Sequence, residues 1–273
     1  MIPAAFDYQR ADSVDAAIAA LQEHGDEAKL LAGGHSLVPL MKLRLATPAV
    51  LVDVGRIDAL QGIEDKGDHV SIGALTRHRA VETDDVLREH VPILSHATSH
   101  VGDPQVRHRG TIGGSIAHGD PASDLPAVLL ALGATLVAQG PDGSREVAAD
   151  DFFTGFLETA LSETEVLTEI RVPKVTGAGW SFQKFNRRAQ DWAIVGVAAV
   201  RMDGGAGIGL VNMDSRPVRA SAAEAAVASG ASPEDAAAVA DEGTEPAADL
   251  NASVEFRRHL ARVLTKRALL EAS

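Results

Sequence analysis

Two short glycine-rich segments have the residue types and spacing of a ligand-binding site. They run Ala32-Gly33-Gly34-His35-Ser36 and Thr111-Ile112-Gly113-Gly114-Ser115. Paired glycines let the backbone turn tightly and approach a ligand, because no Cβ stands in the way. Successive N–H groups at such a turn form a concavity for anions, and the terminal serine hydroxyl adds a donor. One such segment is usually a plain turn, but two of the same kind indicate a diphosphate held from both sides.

Basic side chains flank both segments. Lys42 and Arg44 follow the first, and Arg107 and Arg109 precede the second. Cations close to a diphosphate offset its charge through charge-assisted hydrogen bonds. Taken singly, each of the four is better explained as a solvated surface charge.

Other cofactor and catalytic motifs are missing from the sequence. No G-x-G-x-x-G lies between a predicted strand and helix with an acid downstream, and no P-loop motif occurs. The chain has no cysteine, which excludes thiol nucleophiles and cysteine-ligated iron–sulfur clusters. No G-x-S-x-G turn offers a serine nucleophile. His96 and His100 could share a metal ion on a predicted helix, but no third ligand is evident.

The elements that must position the glycine segments form two α/β lobes. In the first lobe, residues 1–58, apolar residues at helical spacing predict a helix between Ser13 and Gly25. Two short apolar strands follow, at 29–32 and 50–54. The second lobe, residues 59–175, is predicted to contain strands at 69–72, 135–138 and 166–172, helices at 77–82, 91–100 and from Ser123 to Gly133, and a glycine-rich turn at 110–115.

Residues 176–273 have a different pattern. Short sequential strands at 180–185, 193–202 and 207–213 predict an antiparallel three-stranded sheet. Helices are predicted at 220–228, 233–240 and 253–273, and the stretch 231–248, rich in Ala, Glu and Asp, is predicted to be a mobile surface region. The predicted fold class is therefore α+β.

Charge and hydropathy limit the choice of partners. The net charge of −13 makes nucleic acid and an anionic membrane surface poor partners. No apolar run reaches the roughly 18 residues that a membrane span needs. The first residues lack the basic and apolar regions of a secretory signal. We therefore expect a cytoplasmic protein, with membrane association only through an electron acceptor.

The two glycine segments with their flanks resemble the flavin-binding loops of the molybdenum hydroxylase flavoprotein subunits. The segment 31–44, LAGGHSLVPLMKLR, is similar to the first FAD loop of that family, and 102–126, GDPQVRHRGTIGGSIAHGDPASDLP, is similar to the second. The resemblance covers almost the whole chain. The nearest branch is the medium subunit of aerobic carbon monoxide dehydrogenase, and sister branches act on xanthine, nicotinate and other N-heterocycles.

The resemblance implies the two-lobed FAD-binding fold of the vanillyl-alcohol oxidase type, with FAD extended between the lobes and its pyrophosphate held by 32–36 and 111–115. Asp120 and Asp124 match polar groups near the ribose and adenosine end, and Lys184 matches a lysine that reaches the flavin region. The implied cofactor-binding residues are Ala32, Gly33, Gly34, His35, Ser36, Leu37, Thr111, Ile112, Gly113, Gly114, Ser115, Asp120, Asp124, Val166, Leu167, Lys184 and Trp192.

Several of these residues also have ordinary structural explanations. Asp124 is equally well explained as an acid in the first turn of a helix, where it complements the helix dipole. Val166 and Leu167 have the pattern of core residues on a strand. Lys184 could be a surface lysine, and Trp192 a core residue at the start of a strand.

Two positions depart from the family pattern. His35 stands where Gln or Asn is more usual, which changes a side-chain contact but leaves the backbone contact intact. Trp192 stands where the carbon monoxide dehydrogenase branch often has a Tyr that shields one face of the flavin. An indole can stack on that ring but has no phenol hydroxyl, so the side that faces the electron acceptor is expected to differ.

The implied function is electron transfer. A molybdopterin-binding large subunit would oxidise the substrate, and an iron–sulfur small subunit would pass electrons through its 2Fe–2S clusters to FAD and then to an external acceptor. We expect a dimer of heterotrimers. We expect neither a catalytic side chain nor a metal site in this chain. One alternative is the FAD subunit of a xanthine- or nicotinate-type dehydrogenase. A second is a self-contained oxidase of the vanillyl-alcohol type, although the part of the chain after Val175 is short for its substrate domain. A third is an assembly subunit that has lost its flavin, which the intact glycines of both segments argue against.

Overall fold

Three parallel strands build the first sheet of the computed structural model, which describes residues 1–273. The central strand is β3, and β1 and β2 pair with it on either side. The predicted helix and both predicted strands are confirmed, with Ser13 Oγ accepting from the N–H of Ala16 at the start of the helix. The elements are β1 (Asp7–Arg10), α1 (Val14–His24), β2 (Ala28–Leu31), α2 (Leu37–Leu43) and β3 (Val50–Asp53).

Strand β1 and helix α2 were not predicted. All four residues of β1 are exposed, so the strand has no apolar alternation to reveal it. Helix α2 contains Pro39, which normally interrupts a helical pattern but is tolerated in a first turn, where the missing N–H has no partner to lose. The first glycine segment therefore connects the end of β2 to the start of a helix.

The second sheet has five antiparallel strands in the order β4-β5-β10-β6-β7. Its strands, with the hairpin β8–β9, are β4 (Ile63–Asp65), β5 (His69–Gly73), β6 (Thr135–Gly140), β7 (Gly143–Ala148), β8 (Phe153–Gly155), β9 (Glu158–Thr159) and β10 (Val166–Pro173). The helices of this region are α3 (His78–Thr83), α4 (Asp85–His90), α5 (Pro92–Ser99), α6 (Pro104–Arg109), α7 (Ile112–His118), α8 (Asp124–Leu132) and α9 (Ala149–Phe152).

The predicted glycine-rich turn at 110–115 is wrong from Ile112 onward, where helix α7 begins. Glycine disfavours a helix by about 1 kcal/mol per residue, which is why the pair Gly113-Gly114 predicts a turn. Here the Thr111 side chain caps the helix by accepting from the N–H of Gly114. Ile112 and Ile116 are fully buried, and their packing holds the glycines in helical conformation.

The third sheet is antiparallel in the order β11-β12-β13-β14. The predicted meander of three strands is confirmed, and a fourth strand of two residues, too short to give a pattern, extends it. The elements are β11 (Trp180–Phe185), β12 (Val195–Met202), β13 (Gly205–Val211), β14 (Val218–Arg219), α10 (Ser221–Ala228), α11 (Pro233–Ala238) and α12 (Val254–Glu271). None of the helices combines the length and the hydrophobicity needed to cross a membrane.

The stretch 231–248 is only in part the predicted surface region, because nine of its 18 residues are exposed and several others are packed in the core. Ala236 and Ala240 are fully buried in the core that also contains residues of α12. The carboxylate of Asp241 accepts two hydrogen bonds from Arg262, at 2.6 and 2.9 Å. The Ala-rich composition therefore reflects close packing of short helices.

Helix α8 joins the second sheet to the third. All nine of its residues are buried, and a Cβ added to Gly207 or Gly209 of β13 would overlap its main-chain oxygens at Ala131 and Ala127. Each sheet lies within one of the ranges 1–58, 59–175 and 176–273, but the largest hydrophobic cluster contains residues of both the second and the third range. The third sheet is thus packed against the lobe that carries the second glycine segment.

Candidate cofactor-binding site

The two glycine segments lie against each other at one wall of a cavity of about 820 Å³. A Cβ added to Gly33 would lie 2.5 Å from the main-chain oxygen of Arg109 and 2.8 Å from Cα of Gly110. The backbone of the first segment therefore contacts the two residues that immediately precede the second, and only glycine fits at this point. The volume is in the range of roughly 300–1,000 Å³ that is common for small-molecule and cofactor sites.

The first segment presents a row of free main-chain donors. Residues 32–37 all line the cavity, and none of their N–H groups donates to an acceptor within the chain. Gly34 has φ of 74°, a left-handed conformation that glycine adopts without strain and that turns the chain back toward α2. His35 is exposed, and its Nδ1 lies 3.1 Å from the Gly33 oxygen. Six successive free N–H groups at a cavity wall are suited to bind an anion.

The second segment uses its main-chain donors differently. The N–H groups of residues 112–115 donate to the main-chain oxygens of Thr76 and Ala74 and to the two oxygens of Thr111, over 2.8–3.2 Å. The expectation that both segments offer free amides therefore holds only for the first. Capping a helix and pairing with a neighbouring segment consume the others. What the second segment offers the cavity is the backbone of Gly113 and Gly114, which line it without side chains, and the side chains of Thr111 and Ser115.

A buried ion pair lies beside the cavity. Lys184 Nζ is 2.7 Å from Oδ2 of Asp124 and donates to the His100 oxygen at 3.0 Å, and both charged side chains are 6% exposed. Burial raises the pKa of Asp124 above its ordinary value, although the positive charge and hydrogen bond of Lys184 act in the opposite direction. Asp124 lines the cavity and its Oδ1 has no partner, whereas Lys184 does not line the cavity.

The other predicted site residues are divided between two places. Val166 and Leu167 are buried at the start of β10 and also line the cavity, so the core and ligand interpretations both apply. Trp192 is 56% exposed and lies between this cavity and a smaller one of about 280 Å³. Asp120 lines only the smaller cavity and accepts a hydrogen bond from the Ala122 N–H. Ile112 is fully buried and lines neither cavity.

The flanking cations do not enter the cavity. Lys42, Arg44 and Arg109 are exposed and lie outside the lining residues. Arg107 forms an ion pair with Glu82 at 2.9 Å. For these four side chains, the interpretation as surface or structural charges is the one that the geometry supports.

The two histidines considered as metal ligands pack as aromatic rings. The centroids of His96 and His100 are 4.8 Å apart, His96 lies 5.3 Å from Trp180, and His100 lies 5.9 Å from Phe182. No group of three or more ligating side chains is assembled in the chain. The pair therefore helps to join α5 to β11.

Comparison with known proteins identifies the family. Residues 4–175 match a model of the FAD binding domain in molybdopterin dehydrogenase, and residues 180–272 match the CO dehydrogenase flavoprotein C-terminal domain. The chain belongs to this flavoprotein family. The family inferred from the two glycine segments is thereby confirmed, together with the α+β fold class.

Relatives of this flavoprotein family match over their full length. The carbon monoxide dehydrogenase medium chain of Hydrogenophaga pseudoflava is 41% identical, over 98% of this chain and 97% of the relative. A structure of carbon monoxide dehydrogenase from the same organism, lacking the Mo-pyranopterin moiety of the molybdenum cofactor, superimposes with a TM-score of 0.95 at 43% identity, over 100% of this chain and 98% of the other. Quinoline 2-oxidoreductase from Pseudomonas putida 86 gives 0.92 at 34% identity, over 100% and 98%.

The cavity of this flavoprotein fits FAD on three observations. The free N–H groups of residues 32–37 are the donors that a diphosphate requires. The contact at Gly33 fixes the second segment beside them, so that the Thr111 and Ser115 side chains face the same space. Asp124 Oδ1 is a buried acceptor without a partner, and a buried acceptor of this kind is normally satisfied.

Some lining residues of the flavoprotein cavity were missed by the sequence analysis. His78 is 4% exposed, and burial, followed by the charges of Arg107, His35 and Arg77, lowers its pKa to about 4. The segment 157–163, which includes one strand of the hairpin β8–β9, also contributes to the lining. No sequence signal could have located either, because a histidine at a helix start and a hairpin of two very short strands have no distinctive local pattern.

Proposed function

We propose that this FAD subunit of a molybdenum hydroxylase passes electrons from iron–sulfur clusters on a partner subunit to an external acceptor. The observation that carries the proposal is the contact of the two glycine segments, with the free N–H groups of residues 32–37 at the cavity wall. The full-length match to carbon monoxide dehydrogenase medium chains supports carbon monoxide as the substrate of the complex. The self-contained oxidase is not favoured.

The individual residues have distinct proposed roles in holding FAD. The amides of residues 32–37 bind the diphosphate, and Thr111 and Ser115 offer hydroxyls. Gly113 and Gly114 belong to the helix turn that carries these hydroxyls, and the absence of a Cβ lets Gly113 pack directly against Ala74. The remaining proposed contacts to FAD are Asp120, Asp124, Val166, Leu167, Lys184 and Trp192. On the geometry, Lys184 acts through Asp124, and Ile112 acts by fixing the helix that carries the glycines.

Bound FAD would supply the redox chemistry, while the chain binds, orients and tunes it. The neutral His78 and the paired Asp124 are the ionisable side chains buried at the cavity. Burial lowers the pKa of His78 to about 4 and raises that of Asp124 above its ordinary value, and Lys184 pairs with Asp124. We expect the chain to contribute the binding and orientation of FAD.

Partner subunits complete the proposed pathway. The chain has no cysteine, so electrons must enter from clusters held on another polypeptide. Its relatives are medium chains, which implies large and small partners. We propose that the large partner binds molybdopterin, that the small one carries the 2Fe–2S clusters, and that two such heterotrimers associate.

Coexpression of this chain with its large and small partner subunits tests this function. The purified complex should hold one FAD per copy of this chain, and carbon monoxide should bleach the flavin absorbance under anaerobic conditions. Quinoline and xanthine are the matched substrate controls, because an N-heterocycle enzyme would respond to them instead. A colourless complex that takes up no FAD, or oxidation of an organic substrate by the isolated chain, would contradict the proposal.

A further inference from the structure

We infer that His78 is a further ligand-binding residue of the cavity, which donates a hydrogen bond from its Nε2 to a phosphate oxygen of the dinucleotide. This inference rests on the proposed function and names a donor that neither glycine segment provides. It follows from the position of the ring, the exposure of its two nitrogens and the charges around it.

The His78 ring is fixed at the junction of the two glycine segments. Its main-chain N–H donates to the Gly110 oxygen at 3.0 Å. A Cβ added to Gly110 would lie 2.7 Å from Cδ2 of the ring and 3.1 Å from Nε2. A Cβ added to Gly33 would in turn lie 2.8 Å from Cα of Gly110. The ring therefore lies next to the place where the first segment meets the residues that precede the second.

The two ring nitrogens have different surroundings. Nδ1 is fully buried and has no hydrogen-bond partner. Nε2 also has no partner within the chain, but it is not among the buried polar atoms, and His78 lines the cavity. Nδ1 is unsatisfied whichever nitrogen carries the proton, and leaving a buried donor or acceptor unsatisfied costs about 1–3 kcal/mol. We place the proton on Nε2, because that nitrogen is open to the cavity, where a phosphate oxygen can accept from it.

The electrostatic surroundings favour an anion opposite this donor. Arg107, Arg77 and His35 are the charged and titratable groups that act on the ring, and all of them disfavour a positive charge on it. The ring is therefore neutral near pH 7, and no carboxylate is among the groups that influence it. Arg107 is already paired with Glu82, whereas Arg77 has no ion-pair partner, so Arg77 is the cation left to attract a phosphate oxygen near this donor.

Two substitutions and one control test the inference on the full chain. His78→Leu removes the donor and keeps an apolar side chain in the buried site, whereas His78→Gln retains an N–H donor. His90→Leu is the control, because this partly buried histidine bonds to Thr176 and lies outside the cavity lining. FAD affinity is measured by quenching of flavin fluorescence, and thermal unfolding of each FAD-free variant checks that it folds.

His78→Leu should weaken FAD binding by about 10- to 100-fold, as expected for one hydrogen bond to a charged group. His78→Gln and His90→Leu should stay within about threefold of the unsubstituted protein. ADP should lose affinity in parallel with FAD, and riboflavin, which has no phosphate, should not. Equal FAD affinity in folded His78→Leu, or a loss confined to riboflavin, would overturn the inference. If the unsubstituted chain binds no FAD, the proposed function fails instead.

A measurement on the unsubstituted protein covers the case in which His78→Leu does not fold. Nitrogen-15 spectra of the histidine rings report which ring nitrogen carries the proton. We expect protonated Nε2 in His78, and a saturable shift of its resonance on titration with inorganic pyrophosphate. A proton on Nδ1, or no response to pyrophosphate at concentrations that displace FAD, would refute the assignment.

Discussion

Replacing Gly33 with alanine should separate the two glycine segments and weaken FAD binding. The added Cβ would lie 2.5 Å from the Arg109 oxygen and 2.8 Å from Gly110 Cα. Both atoms belong to the backbone, so no side-chain rotation relieves the overlap, and the segments must move apart by about 1 Å to restore normal contact. Overpacking of this kind typically costs about 1–3 kcal/mol of folding stability.

The same displacement moves the amides of residues 32–37 away from the second segment. A diphosphate held from both sides would then lose at least one charge-assisted hydrogen bond, which is worth about 1.5–3 kcal/mol. Gly33→Ala should therefore raise the dissociation constant of FAD by at least about 10-fold. The loss of affinity would come from this displacement of the backbone, because the added Cβ overlaps the neighbouring backbone before it can occupy the space of the phosphate.

Fluorescence titration with FAD and thermal unfolding of the FAD-free protein measure the two effects. Gly205→Ala is a matched control, since its added Cβ would meet only the Ala228 Cβ, at 3.8 Å, and its φ is not in the left-handed region. The control should match the original protein in both assays. If Gly33→Ala binds FAD as tightly as the control and unfolds at the same temperature, the inferred contact between the segments is refuted.

Three other perturbations give distinct outcomes. Lys184→Met leaves the charge of Asp124 buried without its partner and should lower the free energy of unfolding by about 3–5 kcal/mol. Adding Asp124→Asn removes that charge and should restore much of the lost stability. A double variant as unstable as Lys184→Met alone would disprove the pairing. The pKa of His78 is lowered from 6.5 to about 4, so the unfolded state binds more protons between these values, and stability should fall as pH drops from 6.5 toward 4. Urea unfolding at several pH values should show a shallower decline in His78→Gln, and an unchanged slope would count against the buried neutral ring. In Gly209→Ala the added Cβ would overlap the Ala127 oxygen, so thermal unfolding should show a loss of about 1–3 kcal/mol or more. An unchanged unfolding temperature would contradict the packing of the third sheet against α8.

Elements with local signals could be predicted from the sequence. Ser13 and Gly25 bracket α1 because a side-chain cap and a C-terminal glycine act within a few residues. Gly133 likewise ends α8, whose apolar residues recur along the whole helix. The meander of β11 to β13 follows from short turns between sequential strands. The pair of glycine segments was recognised for the same reason, since each motif is contiguous.

Features that depend on tertiary contacts could not be predicted. Strand β1 is exposed throughout and is specified only by pairing with β3, some 40 residues away in the chain. The N–H groups of residues 112–115 resemble those of the first segment in sequence, yet their partners lie at Ala74, Thr76 and Thr111. The position of His78 beneath Gly110 depends on the same pairing, which no local pattern encodes.

Amide nitrogen-15 spectra of the full chain, recorded during titration with FAD, test the central claim most directly. The N–H resonances of residues 32–37 should shift strongly and saturate at one FAD per chain, because these donors are free before binding. The resonances of residues 112–115 should shift less, since their N–H groups already have acceptors within the chain. Stoichiometric FAD binding that leaves residues 32–37 unperturbed would contradict the claim that these amides hold the diphosphate.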